Sequence, residues 1–109
     1  MSYRLTPLAR RDLRSIFAFT ADRFGDRQAD AYRVLLNQAL DRIGADPQAG
    51  GSKLRPELGD NVRSVWLGAF ARRRRSARHV VFYRPADEGI VILRVLHDAM
   101  DPTIADGWD

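Results

Sequence analysis

The apolar residues of this chain change their spacing once, and that change limits the folds open to it. Through the first half they recur at three and four. Leu13, Ile16, Phe17, Thr20 and Phe24 make one stripe, and Ala29, Tyr32, Leu36, Ala39, Leu40 and Ile43 make a second. Each stripe is the apolar face of an amphipathic helix. After a punctuated middle the pattern becomes β-branched and aromatic, in "VRSVWL" (62 to 67), "RHVVFYR" (78 to 84) and "IVILRVLH" (90 to 97). Such runs predict strands.

Local signals set the boundaries. "SYRL" is a short strand candidate, with Tyr3 and Leu5 on one side of a period-2 ribbon. Thr6 can cap the first helix, and Pro7 falls at its first position, where a missing N–H does no harm. Gly25 is placed to end that helix with a left-handed residue, and Asp26 to cap the next. Pro47 in "GADP" stops the second helix, because the residue before a proline is pushed out of the helical region. A connection this short predicts an antiparallel helical hairpin. "QAGGSKLRPELGDN" reads as loop, and "PADEG" as a turn joining the last two strands. The last strand is almost continuously apolar, so it is expected to be central and covered on both faces. "DAMDPTIADGWD" has no strong period. The order strand, helix, helix, three strands gives an α+β fold (β-α-α-β-β-β), with the helical hairpin on one face of a small, mostly antiparallel sheet.

The totals remove several function classes. With 109 residues the chain is read as one domain, 1–109. No apolar run approaches the about 20 residues of a membrane span, and "MSYRLTPLAR" lacks a signal-peptide core, so a cytoplasmic protein is expected. The absence of cysteine excludes disulfides, thiolate zinc sites and cysteine nucleophiles. Two histidines, His79 and His97, are too few for a convincing metal cluster, and neither metal nor cofactor is expected. Basic residues number 18 against 14 acidic; without Arg72, Arg73, Arg74 and Arg75 the two counts are equal. The basic character is therefore local, unlike a duplex-binding face spread over a whole domain.

The candidates for chemistry are few. His79 begins one strand and His97 ends its neighbour; either they are ordinary strand-end residues, or one is a general acid or base. Arg94 interrupts an apolar run, so it must reach an edge, a carboxylate such as Asp87, Glu88 or Asp98, or a bound anion. Arg63, Arg78 and Arg84 lie in or beside the strands, and Glu57 in "RPELG" is an isolated loop carboxylate. No P-loop, G-x-G-x-x-G, HExxH or G-x-S-x-G element is present. RNA cleavage by this chain would have to rest on Arg, His and Glu groups.

Taken in order, "YRLTPLARRDLRSIFAFTADRFG", "QADAYRVLLNQALDRI", "DP", "RPELG", "VRSVWLG", "RHVVFYR" and "ILRVLHDAMDP" resemble the ParE-type toxins of the RelE/ParE superfamily, from about Tyr3 to Pro102. The resemblance implies the same fold and a bacterial, growth-inhibiting toxin of a type II toxin–antitoxin system. It implies a cognate, ParD-like antitoxin that wraps the toxin in a hetero-oligomer, using a segment disordered when free. ParE-type toxins poison DNA gyrase, whereas the RelE branch cuts messenger RNA on the ribosome. By position, the nearest matches to the nuclease cluster are Glu57, Arg78, His79, Arg94 and His97. Lys53 is the single lysine and no tyrosine follows "RVLH", a departure from the RelE pattern that favours a binding protein over an enzyme. A third reading is a degenerate toxin retained as an antitoxin-binding or repressor-modulating subunit.

"AFARRRRSA" (69 to 77) is a second departure, because the family pattern passes almost directly from "VRSVWLG" into "RHVVFYR". A longer hairpin loop is tolerated, since closure entropy grows slowly with length. Four adjacent arginines repel one another and should stay solvated without an acidic partner. Two readings stand: an idle loop at a hairpin tip, or a loop touching nucleic acid or an acidic antitoxin. Arg72, Arg73, Arg74, Arg75, Arg84 and Arg94 are the candidate contact residues.

Overall fold

The computed structural model describes residues 3–109, apart from the Arg75 side chain, so Ser2 of the "SYRL" strand lies outside the described residues. β1 (Tyr3–Leu5) leads into α1 (Pro7–Phe24) and α2 (Asp26–Ala45), followed by β2 (Lys53–Leu54), β3 (Arg63–Trp66), β4 (His79–Ala86) and β5 (Gly89–His97). The five strands lie in the order β1-β5-β4-β3-β2. β1 runs parallel to β5 and the other neighbours are antiparallel. The α+β architecture is the expected one, with β2 as an extra two-residue strand inside the stretch read as loop. The "PADEG" turn is tighter than its composition suggests, because Pro85 and Ala86 stay in β4 and Ala86 pairs with Gly89.

The helix signals mostly act as read. The Thr6 side chain accepts from Ala9 N–H at 3.0 Å, and Pro7 opens α1. Gly25 joins the helices at φ 90°, ψ 167°, a backbone conformation that glycine alone adopts without strain. Asp26 is not the cap: it is the first residue of α2, Gly25 holds the cap position, and no side chain bonds there. Its carboxylate can still favour the positive helix end through the field.

α1 and α2 cover one face of the sheet. Ile16, Leu36, Leu40 and Ile43 pack there against Val65, Val81, Tyr83, Ile90, Ile92 and Val95. The opposite face carries Phe82, Leu93 and Leu96, covered by Leu58, Val62, Ala105 and Trp108. β5 is thus an interior strand sheathed on both sides, which accounts for its continuous apolar run. The stretch after β5, without period in the sequence, is the cover. Asp101 caps a short 3₁₀ turn, and the Trp108 ring meets Phe82 edge-on at 5.1 Å. Trp108 Nε1 donates to the Pro102 carbonyl at 3.1 Å.

β1 is shorter than β5 and pairs only with Ile90, Val91 and Ile92. Beyond that point the α1 cap and the helix itself supply the missing partners. Thr6 Oγ1 donates to the Leu93 carbonyl at 3.0 Å, and Asp12 Oδ2 accepts from Val95 N–H at 3.0 Å. The need is acute because Leu93 is an extra residue in the β4–β5 ladder: Phe82 pairs with Arg94 and Tyr83 with Ile92. Unpaired backbone groups beside a bulge are costly unless side chains satisfy them.

Candidate functional site

The antiparallel register sets His79 directly opposite His97, with ring centroids 5.6 Å apart and the planes at 79°. Strand alternation points His79 to the helix face. There α2 presents Tyr32, whose hydroxyl lies 2.7 Å from His79 Nδ1 and accepts from Arg78 N–H at 3.0 Å. Burial pushes the His79 imidazole down to about 4, the neighbouring His97 pushes it the same way, and Asp98 and Asp12 oppose both. Burial likewise raises the Tyr32 hydroxyl. At neutral pH, then, His79 is an uncharged imidazole beside a protonated phenol. The Tyr32 hydroxyl thus links the His79 ring to the Arg78 backbone N–H. His97 is the solvent-facing member of the pair, 54% exposed. Its Nδ1 accepts from Ala99 N–H at 3.1 Å, leaving Nε2 as the nitrogen a ligand could meet.

Of the other proposed nuclease residues, Arg94 and Glu57 do not join this cluster. Arg94 grips both oxygens of Asp12, at 2.8 and 2.9 Å, and donates to the Asp106 carbonyl at 2.7 Å. Its hydrogen bond to Asp12 holds this guanidinium above the usual arginine range. The carboxylate expected from the sequence is therefore Asp12, rather than Asp87, Glu88 or Asp98. Glu57 accepts from Arg55 Nε at 2.7 Å, and that bond keeps its carboxyl below the usual range. The Arg55 guanidinium stands 5.5 Å from the Phe82 ring, which places Glu57 on the face opposite the histidines. Arg78 is exposed beside the pair. Arg84 donates to the Asp60 and Trp108 carbonyls at 3.2 and 2.7 Å, pinning the chain end to β4.

The arginine run is not a bare hairpin tip. Leu67 and Gly68 are buried, Phe70 packs on the core beneath Arg42, and Ala77 is fully buried. Arg72, Arg73 and Arg74 are exposed between these anchors, as repulsion among them requires. The backbone of Arg75 lies in a 3₁₀ turn over Arg74–Ser76, and its side chain lies outside the described residues. Tyr32 is the participant that sequence reading assigned to the helix stripe alone. Its helical spacing is real, and only the α2–β4 packing reveals the second duty of its hydroxyl.

The family model for ParE toxins of type II toxin–antitoxin (parDE) systems matches residues 3–102. The chain belongs to the ParE toxin family. It is 35% identical over 100 residues to "Toxin ParE1" of Mycobacterium tuberculosis, the match covering 91% of each chain. It is 34% identical over 99 residues to "Toxin ParE1" of Caulobacter vibrioides, again over 91% of each. A solved chain from a chromosomal ParDE system of P. aeruginosa superposes with a TM-score of 0.65 at 20% identity, covering 89% of this chain and 95% of that one, a likeness of fold. As a ParE toxin, this chain carries the helical hairpin and the mixed sheet of its family. No helix among the described residues is long and apolar enough to cross a membrane.

Proposed function

We propose that this ParE toxin arrests growth in the bacterial cytoplasm by poisoning DNA gyrase, as a binding protein without catalytic chemistry of its own. A cognate, ParD-like antitoxin silences it within a hetero-oligomer. The observation that carries the reading is the dispersal of the charged groups a nuclease would gather. Glu57 is paired to Arg55 on one sheet face, Arg94 is locked to Asp12, and His79 is held neutral against Tyr32 on the other face. General acid–base cleavage needs donor and acceptor within reach of one scissile phosphate. Phe19, Phe24 and Val34 are exposed on the helical hairpin, and the short edge strand β2 is exposed as well. Those surfaces suit a partner that folds on binding through a helix laid on a helix or a strand added to an edge.

Induced expression in a bacterial host, followed by trapping of gyrase–DNA cleavage complexes, tests this. Accumulating complexes with a DNA-damage response are the expected result. The facing histidines favour one other reading, ribosome-dependent messenger cleavage with His97 as the proton carrier. Mapped messenger cuts that vanish in His97→Ala, without cleavage complexes, would establish that reading instead. Absence of growth arrest on induction would point to a subunit retained for antitoxin binding.

A further inference from the structure

The surface beside the arginine run holds a cavity of about 350 Å³, at the β2–β3 end of the sheet. Its walls include Gly50, Lys53, Arg55, Ser64, Trp66 and Arg74, so two cations from the β2 stretch meet a third from the arginine run around it. The wall bearing Arg74 is fixed rather than loose. Phe70 packs so closely on Gly50 that a Cβ there would lie 2.6 Å from the ring, and Ala77 is buried at the other end of the run. Gly50 has φ 70°, so glycine is needed there for backbone and for space alike.

The charged side chains facing the cavity, Lys53, Arg55 and Arg74, are all donors. Arg55 is partly neutralised by Glu57 and also donates to Ser64 Oγ at 3.2 Å. Among the described residues, Lys53 and Arg74 have no carboxylate within ion-pair distance. Cations assembled without counter-charge repel, and bound phosphate relieves that repulsion while accepting from every donor present. Trp66 adds an aromatic wall. Its ring lies so close to Gly68 that a Cβ there would sit 2.5 Å away, and its Nε1 is a buried donor without a partner among the described residues.

We propose that this cavity binds one nucleotide of a single-stranded nucleic acid, its phosphate held by Lys53, Arg55 and Arg74 and its base set against Trp66. Two features favour a polynucleotide over an acidic peptide. The volume falls within the range of about 300 to 1,000 Å³ that holds a compact ligand, and a carboxylate side chain would leave most of it empty. Arg72 and Arg73, exposed beside Arg74, extend the positive track outward, where the next phosphates of a strand would run. The inference concerns the cavity alone and is independent of which target the toxin poisons.

Fluorescence anisotropy with the purified full chain and labelled eight-nucleotide single strands, one DNA and one RNA, tests it. Arg74→Ala and Lys53→Ala should each weaken binding at least fivefold. Each should also lower the slope of log affinity against log salt by about 0.7, one phosphate contact on a single strand. Arg27→Ala, at an exposed position of α2, removes the same net charge and should weaken binding less than twofold. In a Trp108→Phe background the emission of Trp66 should change on addition of the oligonucleotide. A preference for one strand type identifies the natural ligand, and either preference supports the site. Equal effects of Arg74→Ala and Arg27→Ala would overturn the proposal. So would a glutamate-rich peptide that displaces the oligonucleotide at equal concentration, which would mark the surface as a dock for an acidic protein.

Discussion

Asp12 serves two structural needs with one carboxylate. It neutralises Arg94 through two hydrogen bonds and satisfies Val95 N–H beside the bulge in β5. Both side chains of the pair are only 14% exposed, so removing one partner strands a charge in a poorly solvated place. Asp12→Ala should cost about 3 kcal/mol in urea unfolding, within the range for a broken buried pair. Combining it with Arg94→Met should recover part of that loss, because the stranded cation goes too; a double variant no more stable than Asp12→Ala would refute the argument. The demand that Arg94 find an anion was legible in its apolar run, but the anion was not. Asp12 lies 82 residues away on a helix, and only tertiary packing brings them together. His79 shows the same limit. Its strand-end position could be read, yet its suppressed basicity comes from burial and from His97 across the ladder. Because its folded-state pKa of about 4 lies below the ordinary value of 6.5, the unfolded chain binds the proton first as pH falls. Stability should therefore drop between about pH 6.5 and pH 4, by an amount on the order of 1 kcal/mol after allowance for partial exposure. His79→Gln should flatten that part of the pH profile in thermal unfolding.

Among the elements, the hairpin α1–α2 and the segment between β3 and β4 differ in how openly the sequence declares them. The helices carry local signals: Thr6 caps, Pro7 opens, Gly25 turns and Pro47 stops. Each acts through backbone geometry within a few residues, so each can be read from neighbours alone. Asp26 misled because its neighbour Gly25 takes the cap position. Gly25→Ala meets no neighbouring atom, so its cost is conformational, from φ 90° alone. A loss of about 1 to 2 kcal/mol in denaturant unfolding is expected. A change under about 0.3 kcal/mol would show that the turn relaxes to a conformation alanine accepts. The β3–β4 segment hides its anchors. Its four arginines dominate the composition and suggest a solvated tip, while Phe70 and Ala77, two unremarkable apolar residues, fix its course. Removing residues 69–77 would therefore delete core contacts along with charge. Point substitutions at Arg72, Arg73 and Arg74 are the sharper probe of what the basic run does.

At the scale of the whole molecule, the sheet has two apolar faces and only one of them is roofed by helices. The second depends on Leu58, Val62 and the stretch after β5, where Trp108 caps Phe82 and the Arg84 guanidinium holds the Trp108 carbonyl at 2.7 Å. No periodicity announces such a cover, because its contacts come from single residues held by turns and not from a repeating face. The continuous apolar character of β5 does announce that a cover must exist. Trp108→Ala removes the largest part of it and should destabilise the fold by about 2 to 3 kcal/mol, less than a fully buried tryptophan because the residue is only partly buried. The exposed Phe82, Leu93 and Leu96 should then raise binding of a hydrophobic dye and promote association. The helical hairpin lies on the other face, so Trp108→Ala should leave antitoxin affinity within about twofold wherever the variant remains folded, given that distant sites act independently. Calorimetric titration of the folded variant with antitoxin separates the two roles. A large loss of affinity with the fold intact would place the chain end in the antitoxin interface as well as over the core.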